Sequence, residues 1–456
     1  MPFATINPAT GKTEKEFPVH TSAEVDALLD KAVAAFADYK HASYTERSRY
    51  LVAAAELLEG EVPDVARILT TEMGKTFAAA KAEVSKSALA MRWFADNAER
   101  LLADETIPTK ATKSYVHYQP IGPVLAVMPW NFPLWQVTRF AAPALMVGNV
   151  GLLKHASNVP QTALFMQDLF ARAGFPAGTF QTLLVGSARI EAILRDPRVV
   201  AATLTGSGPA GSSVAAIAGS EIKKVVLELG GSDPFIVLPT ADLQKAAEVA
   251  AVARCLNNGQ SCIAAKRFIA HDAVYDEFER LFVEQMAAKT VGDPMLDSTD
   301  VGPLASEQQR DDVEHLVADA VAKGARALCG GAAPERPGFY YLPTVLARIT
   351  PQMRVHTEEV FGPVATLYRV ADLDAAIALA NATEFGLGAN AWTDDVAERS
   401  RLIRDLAAGM VFINGNVTSY PQLPFGGVKS SGHGRELSAQ GIREFCNIKS
   451  VWVGDA

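Results

Sequence analysis

Short apolar runs of strand length alternate along this chain with stretches whose apolar residues recur at helical spacing, and that alternation limits the possible folds more than any other feature. Gly122–Met128, Gly148–Leu153, Val199–Leu204 and Lys224–Leu229 have the length and bulk of strands buried on both faces. A second series, Phe235–Leu238, Arg267–Ala270 and Val411–Asn414, begins after Gly230-Gly231. Thr21-Ser22-Ala23-Glu24 reads as a capping box, followed by an apolar stripe of Val25, Leu28, Leu29, Ala32, Val33 and Phe36. Strands alternating with helices predict an α/β chain with mostly parallel sheets. At 456 residues the chain exceeds what one hydrophobic core holds, so two or more domains are expected. Glu105–Pro120 departs from the pattern. It is polar, alternating and rich in Thr, Lys and Tyr, like an exposed hairpin; its edge suits either a partner subunit or an ordinary surface position.

Composition narrows the function. The formal net charge is −9 with no long basic run, which argues against nucleic acid or an anionic membrane as partner. The start, MPFATINPATGK, lacks the charged and apolar regions of a secretory signal, and the longest uncharged tract, Ile121 to Thr138, is broken by three prolines. A cytoplasmic enzyme is expected. Four dispersed cysteines make no disulfide framework, and eight scattered histidines show no zinc spacing, so no metal site is expected.

Three motifs carry chemistry. Gly206-Ser207-Gly208-Pro209-Ala210-Gly211 follows an apolar run and opens an Ala/Val-rich helical stretch, the context in which a GxGxxG turn approaches a dinucleotide pyrophosphate; alone it also fits a plain glycine turn. Glu228 stands about 20 residues further on, where that fingerprint places a ribose-binding acid. Met73-Gly74-Lys75-Thr76 imitates a P-loop tail, but Leu69 occupies the place of the earlier glycine, and the reading is rejected. Asn257-Asn258-Gly259-Gln260-Ser261-Cys262 sets a thiol behind polar residues that are costly to bury without a purpose. Cys255, Cys329 and Cys446 read as small hydrophobes. A thiol with a carboxylate, Glu228, and no histidine motif suits covalent chemistry in which the acid acts later, on water.

Pro129-Trp130-Asn131-Phe132-Pro133, Gly206-Ser207, Glu228-Leu229-Gly230-Gly231, Gly259-Gln260-Ser261-Cys262, Glu358-Glu359-Val360-Phe361-Gly362-Pro363 and Pro424-Phe425-Gly426-Gly427 occur in one order along the chain. In these motifs, from about Asn7 to Val453, the chain resembles the aldehyde dehydrogenase superfamily. The resemblance implies a Rossmann-type cofactor domain (1–103 and 121–230), an α/β catalytic domain (231–445) and a β oligomerisation arm (104–120 and 446–456), assembled as a homodimer or homotetramer. It implies Cys262 as nucleophile, Asn131 with the Cys262 N–H as oxyanion donors, and Glu228 as the base for thioester hydrolysis. It assigns Trp130, Lys154, Ser157, Gly206, Ser207, Gly211, Leu229, Glu359 and Phe361 to a nicotinamide cofactor.

Within the superfamily, Val137-Thr138-Arg139, Lys266-Arg267-Phe268 and Asn414 through Ser419 are most similar to the branch acting on succinate semialdehyde. That similarity implies a small aldehyde with a distal carboxylate, gripped by Arg139 with Trp135 and Ser419 alongside. Leu256 is a departure, since some carboxylate-selective relatives carry an arginine there. Other semialdehydes or hydroxyaldehydes, and a nicotinamide-independent thiol esterase, remain as alternatives; Glu228 argues against a coenzyme-A-acylating variant. Many NAD-using relatives have a glutamate three residues after the ribose lysine. Here that place holds Ser157, which leaves room for a 2′-phosphate, so NADP is expected to be preferred, with NAD possible.

Overall fold

The first series of apolar runs forms the parallel strands Pro123–Met128, Val150–His155, Ala201–Thr205 and Lys224–Glu228 of a six-stranded sheet. The computed structural model describes residues 3–455. Across that sheet the order is Gly432–His433, Lys224–Glu228, Ala201–Thr205, Pro123–Met128, Val150–His155, Phe180–Thr182. Its register pairs Met128 with His155 and Thr205 with Glu228, so the carboxyl ends of four strands form one rim. In open α/β sheets ligands bind at such a rim. The second series enters a seven-stranded sheet ordered Arg326–Cys329, Thr344–Ala347, Val364–Val370, Arg267–His271, Pro234–Val237, Gly388–Trp392, Met410–Ile413, parallel except for the first pair. Glu105–Thr106 and Lys113–Pro120 form the expected hairpin, and Cys446–Val453 adds a third antiparallel strand to it.

Thr21 caps the helix Ser22–Tyr39 through the full capping box. Val25, Leu29 and Ala32 are buried beneath it, whereas Val33, expected in the stripe, is 40% exposed because it lies a quarter-turn off that face. Several strands escape a reading based on long apolar runs, among them Phe3–Asn7 paired with Lys12–Phe17 and the three-residue Phe180–Thr182. The chain after the second sheet also returns, and Val417, Phe425, Leu437, Ile442 and Phe445 pack into the core of the first.

Gly74 is a helix terminator: it ends Val62–Met73 with φ 88°. Thr76 then caps Phe77–Leu101, and this junction braces two distant segments. Asn258 Nδ2 donates to Gly74 O and Pro303 O, both at 2.9 Å, while its Oδ1 accepts from Gly302 N at 2.8 Å. Glu83 Oε1 accepts from the N–H groups of Leu134 and Trp135, each at 2.9 Å, which closes the otherwise uncapped start of the helix Trp135–Val147. Buried Lys75 pairs with the other oxygen of Glu83 and lies 4.2 Å from the Phe132 ring centroid.

Gly259 has φ 77°, and a Cβ there would stand 2.3 Å from the backbone carbon of Gly362. Gly259→Ala is therefore expected to lower the unfolding free energy by about 3 kcal/mol or more, from positive-φ strain plus overpacking. Gly60→Ala, where a Cβ meets nothing within 4 Å, serves as the control and is expected to be neutral or stabilising. Urea unfolding of both variants decides it; equal midpoints would contradict the packing argument.

Candidate active site

Cys262 lies in the wall shared by two cavities. One, of 340 Å³, is lined by Trp130, Asn131, Gln136, Gly206, Ser207, Leu229, Cys262, Gln309, Glu359 and Phe361, among others. The second, of 190 Å³, contains Glu83, Lys86, Trp135, Gln136, Arg139, Leu256, Cys262, Ser419 and Phe425. A nucleophile reached from both sides can bond to a molecule in one cavity while a group leaves into the other.

The larger cavity has the features of a dinucleotide site. The helix Gly208–Ser220 begins inside the glycine motif, and no side chain caps it, so its amino end is open to an anion. A Cβ on Gly208 would meet nothing within 4 Å, whereas one on Gly211 would stand 2.6 Å from Leu229 Cδ2. The last glycine thus permits close helix–strand packing and acts on the cavity only through Leu229. Glu359 Oε1 is held by Gly231 N at 3.2 Å and Lys266 Nζ at 3.1 Å. No hydrogen bond to its Oε2 occurs among the described residues, which leaves that oxygen for a ligand. Trp130 and Phe361 meet edge to face, with centroids 5.7 Å apart. Lys154 and Ser157 do not line this cavity. They occupy the same rim one strand over, at and just beyond the end of Val150–His155, where burial lowers the pKa of Lys154. Between them His155 is buried: its Nδ1 accepts from Ala156 N at 2.9 Å, so Nε2 carries the proton and donates to Pro133 O at 2.8 Å, tying down the loop of Trp130 and Asn131. Burial holds this imidazole neutral, with its pKa lowered to about 4.

Around the thiol, Asn131 Nδ2 donates to Gln260 O at 3.2 Å and its second N–H remains available at the cavity wall. Lys266 Nζ, to which no motif gave a role, donates to the carbonyls of Ser261 and Cys262 at 2.9 Å each. Burial pushes the Cys262 thiol up to about 12, against the opposing fields of Arg139 and Lys266. Glu228 ends its strand as expected, but its carboxylate lines neither cavity. It is buried beside Gly426, where an added Cβ would lie 2.7 Å from Oε1, and neither oxygen has a hydrogen-bond partner among the described residues. This seat rules out the ribose-binding reading of Glu228. Burial, reinforced by Glu436 and opposed by Arg139, raises its pKa well above the carboxylate range.

Trp135, Arg139 and Ser419 meet in the smaller cavity, as expected, yet Arg139 is already engaged. Its Nε lies 2.7 Å from buried Glu436, it donates through Nη2 to Gln136 Oε1, and its guanidinium sits 4.3 Å from the Phe425 centroid. Arg139 thus lines the cavity while its Nε faces an internal carboxylate, so its charge is shared between Glu436 and whatever occupies the cavity. Lys86 is the residue that sequence reasoning missed. It sits on the helix Phe77–Leu101 one turn after Glu83, and no motif marks it.

The chain matches the aldehyde dehydrogenase family over residues 1–451, and it belongs to that family. A protein of Mycobacterium ulcerans named succinate-semialdehyde dehydrogenase (NADP(+)) 1 is 62% identical, over 100% of this chain and 100% of the relative. The protein of the same name from Mycobacterium tuberculosis H37Rv is 62% identical over 99% of this chain and 100% of its own length. Among solved structures, succinic semialdehyde dehydrogenase from Streptococcus pyogenes, in complex with NADP+, is 36% identical with TM-score 0.97, covering 99% of this chain and 100% of that one.

With the thiol at about 12, alkylation of Cys262 by iodoacetamide in the ligand-free protein is expected to accelerate about tenfold per pH unit between about pH 7 and pH 10. The Cys262 peptide is followed by mass spectrometry. A plateau below about pH 9 would mean that the two cations outweigh burial.

Proposed function

We propose that this chain oxidises succinate semialdehyde to succinate with NADP, through covalent attachment to Cys262. The observation that carries the proposal is the single sulfur at the wall between a glycine-cradled cavity and a small one lined in part by hydrogen-bond donors. Trp130, Gly206, Ser207, Leu229, Glu359 and Phe361 would hold the nicotinamide half, and Lys154 and Ser157 the phosphorylated ribose. When bound, the cofactor supplies a hydride acceptor. Cys262 Sγ passes its proton to water and bonds to the aldehyde carbon, and Asn131 Nδ2 with the Cys262 N–H holds the resulting oxyanion. Re-formation of the carbonyl expels hydride from that carbon and leaves a thioester on Sγ. Glu228 then swings from its buried seat toward Cys262 and takes a proton from water, whose oxygen displaces the thiol.

In the same reading the six-stranded sheet is the cofactor unit, the seven-stranded sheet the catalytic unit and the three-stranded sheet an arm. A homodimer or homotetramer is supported by apolar side chains left open on that arm: Ile448 is 56% and Trp452 60% exposed. No helix among the described residues is long and apolar enough to cross a membrane. All four cysteines are free, which suits the reducing cytoplasm.

Reduced-nicotinamide absorbance with a panel of aldehydes and both cofactors tests the reaction; no absorbance with any of them would sink the proposal. Glu228→Gln is expected to keep the single-turnover hydride burst while steady-state turnover falls at least about a hundredfold, as thioester accumulates. Loss of the burst with cofactor still bound would place Glu228 before hydride transfer instead. For the cofactor, Ser157→Glu brings a carboxylate against the 2′-phosphate. It is expected to cut kcat/KM with NADP about tenfold or more beyond any change with NAD. Equal losses, or a wild type that favours NAD, would refute the ribose assignment.

A further inference from the structure

Hydrogen-bond donors form part of the smaller cavity's lining. Lys86 Nζ donates to Ser419 Oγ at 2.7 Å, and Trp135 Nε1 donates to the same oxygen at 3.1 Å. Two donors occupy both lone pairs of the hydroxyl, so its own proton has to be given away. The ammonium has three protons and uses one on Ser419, while its face toward Trp135 lies 4.5 Å from the ring centroid. Among the described residues no carboxylate lies within 4 Å of Lys86, in contrast to Arg139, whose Nε is 2.7 Å from Glu436, and to Lys75, paired with Glu83. Glu83, the acid nearest in sequence, is occupied by Lys75 and two backbone N–H groups. Elsewhere the lining is largely apolar, with Ala79, Ala82, Phe132, Leu256, Ile263 and Phe425. At 190 Å³ it is smaller than the roughly 300–1,000 Å³ of drug-sized sites, which suits a molecule of a few carbons.

A partly buried cation without a counterion, beside a hydroxyl constrained to donate, is complementary to an anion at the far end of a short chain. We propose that Lys86, held by Ser419 and the Trp135 ring, selects the distal carboxylate of the substrate alongside Arg139, whose Nε also faces Glu436. The inference deepens the succinate-semialdehyde reading and rests on it. Substrate binding supplies the missing negative charge, and an uncharged aldehyde leaves Lys86 without a partner.

The test compares succinate semialdehyde with butanal, an uncharged four-carbon aldehyde, using the full chain at saturating NADP. Wild type is expected to favour the semialdehyde. Lys86→Met should reduce its kcat/KM about ten- to a hundredfold, mainly through KM. Butanal should change by no more than about threefold, and Lys86→Arg should recover part of the loss. A pH series adds a second readout. Burial, aided by Arg139 from the neighbouring helix and opposed by Glu83 on its own, lowers the Lys86 pKa to about 8. The wild-type semialdehyde-to-butanal ratio should therefore fall as the pH rises through about 8, and in Lys86→Met it should stay flat. A wild type indifferent between the two aldehydes would remove the substrate reading itself, and this inference with it. A wild type that discriminates while Lys86→Met discriminates equally would overturn the assignment of Lys86 alone. Equal losses for both aldehydes in Lys86→Met would overturn that assignment too.

Discussion

Asn257, Asn258 and Gly259 have φ of 56°, 59° and 77°, and this run of left-handed backbone immediately before Cys262 is the constraint on which the site depends. Such a conformation costs about 1 kcal/mol or more per non-glycine residue, so it persists only where the surroundings over-determine it. Asn257 Nδ2 donates to Asn131 O at 2.7 Å and to Gln260 O at 3.1 Å. Asn258 binds two carbonyls and one N–H from outside the loop. Gly259 packs against Gly362 and Pro363 so closely that no side chain is tolerated. The thiol is thereby fixed by four parts of the chain that are remote in sequence, at Gly74, Asn131, Gly302–Pro303 and Gly362–Pro363. Phe361, which lines the larger cavity, is next to Gly362, so one contact positions the thiol and a cavity wall together.

Around this loop several buried charges are paired, although Arg254, which donates to Gly259 O, faces no carboxylate among the described residues. Lys75 with Glu83, Arg139 with Glu436 and Lys266 with Glu359 each place a cation against a carboxylate inside the protein. Burying either partner alone would cost several kcal/mol, which is why removing one member of such a pair is far more damaging than its net contribution suggests. Glu228 has no such partner among the described residues, and burial pushes its pKa well above the usual carboxylate range. A neutral acid can lie in an apolar seat at little cost and become a base only after moving toward water. Arg139 is consistent with this division: by compensating Glu436 it limits the negative charge that Glu228 meets.

Much of the fold was legible because parallel strands buried on both faces require continuous apolar runs, and those runs were visible at Pro123–Met128, Ala201–Thr205 and Pro234–Val237. Phe180–Thr182 is three residues long, and Gly432–His433 two; neither carries a period that could be read. The site divides in the same way. Cys262, Asn131, Glu359 and the glycine turn lie in compact motifs, because backbone geometry at a turn restricts which residues can follow one another. Lys86 belongs to a helix, where a charged residue at any one position reads as a solvated face. Only the packing of Trp135 and Ser419 against it turns that lysine inward. The Arg139–Glu436 pair joins residues almost three hundred positions apart, and no local pattern announces it.

The division of labour between elements follows from these placements. Cys262, the proposed nucleophile, follows the strained loop, and Glu228, the proposed base, ends a strand. The group that meets the far end of the substrate stands on the helix Phe77–Leu101, one turn beyond Glu83. Glu83 caps the helix Trp135–Val147, which carries both Trp135 and Arg139. The spacing between Lys86 and Trp135 is therefore set by the hydrogen bonds that close the start of that helix. Removing the Lys86 ammonium leaves those bonds in place, because Glu83 uses its oxygens on Lys75 and the backbone alone. Reaction and substrate selection are thus carried by separate elements: the close packing of Gly259 fixes the loop before Cys262, and Lys86 reaches the cavity from a helix that shares none of those contacts.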